Sequence, residues 1–292
     1  MMDQNPVPGQ DALAPPDAAI AQRYLDEARM VATRRDRAVD RRALAWLQIA
    51  NAAVTAVYLT AFAWVLESAG SLVPQVILFV FLVWIQIASG MAQRNGMQWR
   101  MTRSRWLWIA VCAVVLITSR VVFGFAVVDR SLPLFVMFLP GGLVLVALGG
   151  YGLLQLLNAS RDPRPPRPAR RRLPLGVRIG TMLLGAAFGV LILLLGAPDG
   201  VVASTILLLI FLLLLALMFA SRSDLGLPAI GAAWRWPHVL VFAVTASALL
   251  MLVMVDAAGE RPVGLGATAL IGAGAVLLFV GAAFIPGRDA RE

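Results

Sequence analysis

Apolar positions in this chain do not alternate with polar ones. They run together in stretches near 20 residues long, separated by short connections rich in arginine. About 20 residues rising 1.5 Å each cross the roughly 30 Å of hydrocarbon in a bilayer. Lipid offers no partner to backbone N–H and C=O groups, so each stretch is expected to be a helix that satisfies them internally. The pattern predicts eight spans, at residues 44–66, 72–92, 106–128, 132–157, 177–196, 201–220, 237–257 and 263–285. The expected fold class is therefore all-α, a polytopic helical membrane protein of about eight transmembrane helices.

The polar remainder orders these spans. Residues 1–17 hold four prolines and few apolar side chains and are expected to be disordered. Residues 18–43 carry no glycine or proline and place Ile20, Tyr24, Ala28 and Val31 at helical spacing, so they predict a basic cytoplasmic helix. That helix either lies on the inner leaflet or runs straight into the first span. A proline- and arginine-rich linker at 158–176 then divides a first transmembrane half, 44–157, from a second, 177–285, which a short tail follows at 286–292. Its prolines favour extended polyproline II and its arginines repel one another, so a stiff spacer is expected. Matching Arg–Trp intervals and outer turns at an offset near 130 residues point to a parallel 4+4 repeat.

Charge supplies the orientation. All 25 basic residues are arginine, and 22 of them fall in the N-terminal segment, the even-numbered connections and the tail. Basic loops stay in the cytoplasm, so both termini are expected there, and the absence of lysine fits a G·C-rich bacterial genome and hence a bacterial plasma membrane. The N-terminal 43 residues lack the apolar core of a cleavable signal peptide, so the first span is expected to remain in the protein. Trp46, Trp106, Trp108, Trp234 and Trp236 fall at cytoplasmic helix starts and Trp64 near an outer end, where indoles anchor at the headgroup level.

Composition agrees: 60% of the 292 residues are hydrophobic and 14% charged, with a mean hydropathy of +0.82. A globular domain has roughly 45–50% apolar and about 25% charged residues. The net charge of +9 and a pI near 11.3 would suit nucleic acid. The arginines sit at span ends instead, so the expected partners are the bilayer, its anionic headgroups and a cytoplasmic protein on 18–42, with no nucleic acid.

Candidate chemistry is sparse. Arg120 lies near the middle of the third span, where an arginine costs roughly 2.5–3.5 kcal/mol, so it should face the bundle interior, a wet cavity or a carboxylate. Glu67 and Asp256, at outer span ends, are its candidate partners. In the first span Gln48, Asn51, Thr55 and Tyr58 share a stripe, and in the second Gln75, Gln86 and Gln93 share roughly one face. These stripes are expected to meet, as packing contacts or as the wall of a polar path. Small-xxx-small pairs at Gly176–Gly180 and Gly185–Gly189 mark the fifth span for close packing, with the glycine-rich eighth as partner. The sixth, apolar all round, should face lipid. Gly141, Gly142, Gly149, Gly150 and Gly152 mark the fourth for close packing or for an interruption after Pro140.

The one histidine, His238, falls at a cytoplasmic interface, and the one cysteine, Cys112, lies inside a span, so neither a metal site nor a disulfide is expected. No nucleophile elbow, Walker motif or clustered acidic pair occurs, so no catalytic site and no cofactor are expected. The functional expectation is a non-enzymatic accessory, sensory or scaffolding subunit, with a small permease as the alternative.

Overall fold

The computed structural model describes residues 18–68, 73–96, 117, 121, 138–160, 170–197, 201–220, 223–258 and 264–288. The chain divides into two units, Met1–Val39 and Asp40–Glu292. In the first, helix α1 spans Ala18–Ala38 and leaves Ile20, Tyr24, Leu25, Met30 and Val31 exposed. It ends at Ala38 and is not continuous with the next helix. The Asp40 carboxylate accepts the Ala43 N–H at 2.9 Å, an N-cap that starts a new helix at Arg41.

The second unit holds α2 (Arg41–Ser68), α3 (Val73–Arg94), α4 (Leu139–Ala159), α5 (Leu175–Leu195) and α6 (Val201–Phe219). After these come α7 (Leu227–Ala233), α8 (Trp236–Ala257) and α9 (Leu265–Phe284). Seven of the described helices, all but α1 and α7, are long and apolar enough to cross a membrane. The protein is an all-α, multi-pass membrane protein. The predicted third span, 106–128, and Arg120 with it lie outside the described residues.

Two expectations about helix limits change. The fourth span is described from Leu139, and it is not interrupted after Pro140. A π turn at Leu145–Gly149 accommodates its glycines within one continuous helical path to Ala159. The sixth connection, between the spans predicted at 201–220 and 237–257, contains a further helix, α7, whose second residue is Pro228 after the N-cap residue Gly226.

Small residues set the packing. Helix α5 lies along α9 at close range, because a Cβ added at Gly189 would stand 2.8 Å from the Gly272 oxygen, and one at Gly272 would stand 2.6 Å from the Gly189 oxygen. Phe279 of α9 closes on Gly185. The other glycines of the eighth span, Gly264, Gly266, Gly274 and Gly281, meet nothing within 4 Å and take no part in this contact. In the first half α2 packs on α4 similarly, with Gly141 against Thr60 and Ala56 and Gly152 against Ile49. Phe188, Phe279, Trp234, Leu191 and Leu249 fill the centre. Helix α6 leaves Val201, Leu208, Leu209, Leu212 and Phe219 exposed, as a lipid-facing helix should.

One end of this unit collects the basic connections. The Asp40 N–H at the start of α2 donates to the Asn95 carbonyl just past α3. Arg42 donates from Nε to the Ala159 carbonyl at 2.9 Å, and a terminal nitrogen donates to that of Ser160. A two-residue antiparallel ladder pairs β1 (Arg170–Arg171) before α5 with β2 (Gly287–Arg288) after α9. The end of α3 and the start of α4 therefore lie at opposite ends of the unit.

Candidate functional site

The first-span stripe does not act as one surface. Asn51 accepts the Trp84 indole N–H at 2.9 Å, joining α2 to α3. Thr55 turns back on its own helix and donates to the Asn51 carbonyl at 2.7 Å. Gln48 is half-buried and lies close to Gly152 of α4. Tyr58 is buried, its ring 5.5 Å from that of Phe81. Its hydroxyl has no hydrogen-bond partner among the described residues, and the residue lines a void of about 10 Å³ whose other walls are apolar residues of α3 and α8. That is about the room one water occupies.

The second stripe does not meet the first through its glutamines. Gln86 is half-buried, whereas Gln75 and Gln93 are exposed. Gln93 donates to Ser89 of its own helix at 3.4 Å. The residue of α3 that reaches the stripe is Trp84, an indole in a stretch read only as apolar.

Of the acids proposed to face Arg120, Glu67 lies in the last turn of α2 and Asp256 is half-buried in the last turn of α8. Between these two helices runs an open groove of about 420 Å³, lined by Val57, Trp64, Leu250, Met251, Met254 and Val255 with Ser247 and Ala258. None of Gln48, Asn51, Thr55 or Tyr58 lines it. Among the described residues, no three of His, Cys, Asp and Glu come together.

The densest polar arrangement forms instead where α3, α5, α7 and α8 meet at the arginine-rich end. Trp234, read as a headgroup anchor, is 1% exposed, and its indole N–H donates to Thr181 of α5 at 3.1 Å. Its neighbour Trp236 is 71% exposed and keeps the geometry an anchor needs. One residue on either side of a helix break separates the two fates. Trp234 ends α7 in extended conformation and turns inward, while Trp236 begins α8 and faces out.

His238 is likewise interior rather than interfacial, at 1% exposure. Its Nδ1 accepts the Arg235 N–H at 3.2 Å, and its own N–H donates to the Arg235 carbonyl at 3.0 Å. An accepting Nδ1 leaves the ring proton on Nε2, so the histidine is neutral and caps α8. The buried ring also faces the backbone of Ala282 and Ile285 at the end of α9.

Arg94 has a role that charge counting could not show. From the last turn of α3, one terminal nitrogen donates to the carbonyls of Ala232 at 3.0 Å and Trp234 at 2.6 Å. These carbonyls end α7, where the helix dipole is negative and backbone acceptors have no partner in the helix, so a guanidinium is well matched to them. Close approach makes the reach feasible: Gly90 lies against the Pro228 backbone, and Gly231 against that of Ile87. Arg42 does the same at the end of α4. A proline-led start at Leu227–Pro228 and a second at Trp236–Pro237 were the signals in the sequence for α7 and for the break after it.

Chemically, these contacts hold helices together: the two indoles donate to the Asn51 and Thr181 side chains, the Arg94 guanidinium donates to carbonyls left open where α7 ends, and the His238 imidazole accepts the Arg235 N–H at the start of α8. Comparison of the chain with known protein families, with characterised proteins and with solved structures finds no match.

Proposed function

We propose that this protein is a non-enzymatic subunit of a bacterial inner membrane, accessory or scaffolding in role, with both termini in the cytoplasm and α1 as its docking segment for a cytoplasmic protein. The observation that carries the reading is the state of α1. It belongs to a unit separate from the membrane helices and exposes Tyr24 at 69%, Met30 at 66%, Leu25 at 54%, Ile20 at 47% and Val31 at 45%. Five large apolar side chains left open on a 21-residue helix favour a partner over a purely solvated role.

The bonding of Asn51, Thr55, Thr181 and Arg94 to groups of the protein itself supports the non-enzymatic part. The orientation rests on the gathering of Arg42, Arg94, Arg171 and Arg288 at one end, because arginine resists export. At that end the basic segments also hold anionic headgroups, each arginine contributing on the order of 1 kcal/mol.

A photocrosslinking residue in place of Tyr24 or Met30 tests docking in living cells. The expected result is one discrete protein adduct that is absent when the same residue replaces Leu212 of α6. Adducts to lipid alone, or none, would refute the docking role. Protease treatment of intact cells that removes the tail after Gly287 would refute the orientation.

A further inference from the structure

Helix α3 turns outward a face that does not suit lipid. Gln75 and Gln93 stand 18 residues apart, five turns of 3.6, and Gln86 lies eleven residues from the first and seven from the second. All three therefore share one side of the helix. Gln75 and Gln93 are exposed and Gln86 is half-buried, with Leu78 and Ile85 exposed beside them. Helix α6 shows what lipid alone requires, for it carries no polar side chain from Ile206 to Phe219.

Depth separates the three glutamines. The apolar span of α3 runs from Gln75 to Arg94, so Gln75 and Gln93 sit at its ends, where water and headgroups also serve an amide. Gln86 is eight residues from the nearer end, about 12 Å at 1.5 Å per residue, beyond the reach of its side chain. Trp84, Gln93 and Arg94 of the same helix form hydrogen bonds, whereas Gln86 forms none with a described residue. Hydrocarbon supplies neither donor nor acceptor, so an open amide there is costly, and polar side chains at such depth join one helix to another.

The chemistry of the amide identifies the helix it would join. An amide both donates and accepts, so another copy of itself is its complement. A two-fold axis along the membrane normal places every residue at the depth of its twin. Gln86 then exchanges two N–H to C=O bonds with the Gln86 of a second copy, and Gln75 and Gln93 meet their twins on either side of it. Residues 75, 78, 82, 86, 89 and 93 recur every three or four positions, the seam spacing of two parallel helices crossing at a small angle. We propose that the chain forms a homodimer through this face of α3, with the Gln86 pair at its centre.

Cross-linking of the full-length chain in its membrane tests the contact. In a Cys112→Ser background, Leu82→Cys, Gln86→Cys and Ser89→Cys should each oxidise to a product of twice the chain's mass, and Leu212→Cys on α6 should not. Förster transfer between labelled copies, diluted in vesicles of phosphatidylcholine and phosphatidylglycerol, measures the affinity. Gln86→Leu should raise the dissociation constant roughly eight-fold, the effect of losing two interhelical bonds of average strength in a membrane, and Gln86→Asn should recover part of it. Leucine on an open helix face leaves the fold intact, which far-ultraviolet circular dichroism checks.

Monomers at every dilution overturn the proposal, as does equal cross-linking at Gln86→Cys and Leu212→Cys. Affinity of Gln86→Leu within two-fold of wild type overturns it too. The competing occupant is this chain's own span predicted at 106–128, which contains Cys112. With Cys112 retained, oxidation of Gln86→Cys that consumes both thiols without a change in mass assigns the face to that span and sinks the dimer. A cross-linked product of any mass other than twice the chain's sinks it as well.

Discussion

Alanine at Gly272 gives the sharpest check of how α5 and α9 meet. The new Cβ would lie 2.6 Å from the Gly189 oxygen and 3.5 Å from its carbon, so it falls about 0.8 Å short of the 3.4 Å at which ordinary contact begins. The obstacle is backbone, which no rotamer change can move aside, so the two helices must separate or shift. Overpacking of this kind costs about 1–3 kcal/mol. Alanine also favours helix over glycine by about 1 kcal/mol, which offsets part of the loss. Gly274→Ala isolates that offset. It sits two residues along the same helix, with nothing within 4 Å of its added Cβ, and should be neutral or stabilising by up to about 1 kcal/mol. The propensity gain cancels between the two variants, leaving the overpacking cost of about 1–3 kcal/mol as their difference. Thermal unfolding of both proteins in one detergent, followed by far-ultraviolet circular dichroism, measures it. If Gly272→Ala and Gly274→Ala unfold at the same temperature, the register of α5 on α9 described here is wrong.

Other contacts make equally definite predictions. Arg94→Met strips two carbonyl acceptors at the end of α7 and should destabilise by about 2–4 kcal/mol in the same unfolding assay, with Arg94→Lys recovering part. Thr181→Val leaves the buried Trp234 N–H without its acceptor and should cost about 1–3 kcal/mol, whereas Trp236→Phe, at an exposed ring, should change unfolding little. A double-mutant cycle of Asn51→Leu with Trp84→Phe should return a coupling of about 0.6 kcal/mol, and a zero coupling would remove the bond joining α2 to α3. In a Cys112→Ser background, cysteines at Asn51 and Thr55 should resist a water-soluble maleimide from both sides of the membrane. Labelling at either would reopen the permease reading.

Much of the architecture was legible in the sequence because the bilayer makes the problem local. A run of 20 apolar residues must be a helix wherever it lies, since no neighbour can supply its backbone hydrogen bonds in lipid. Hence α5, α6, α8 and α9 stand within two residues of their predicted limits. The same locality identified α6 as lipid-facing from its lack of small and polar residues, and α5 as closely packed from Gly185 and Gly189. The site was less legible. Arg120, its leading candidate, lies outside the described residues, and the stripe containing Gln48, Asn51, Thr55 and Tyr58 gave no indication that Trp84 would be its partner.

Composition and hydropathy along the chain thus determined that the protein is a bundle of membrane-crossing helices, the limits of α5, α6, α8 and α9 to within two residues, and that α6 avoids close neighbours. Only the tertiary structure decided which polar group serves which acceptor. Trp234 and Trp236 are identical side chains two positions apart, yet one is sealed against Thr181 and the other is open, because an extended break between α7 and α8 turns them apart. Arg94 counts as one more basic loop residue until α7 brings two carbonyls to its guanidinium. Insertion of an apolar run as a helix depends on the residues of that run alone. Hydrogen-bond partnership depends on where a distant helix happens to end, which no local pattern records.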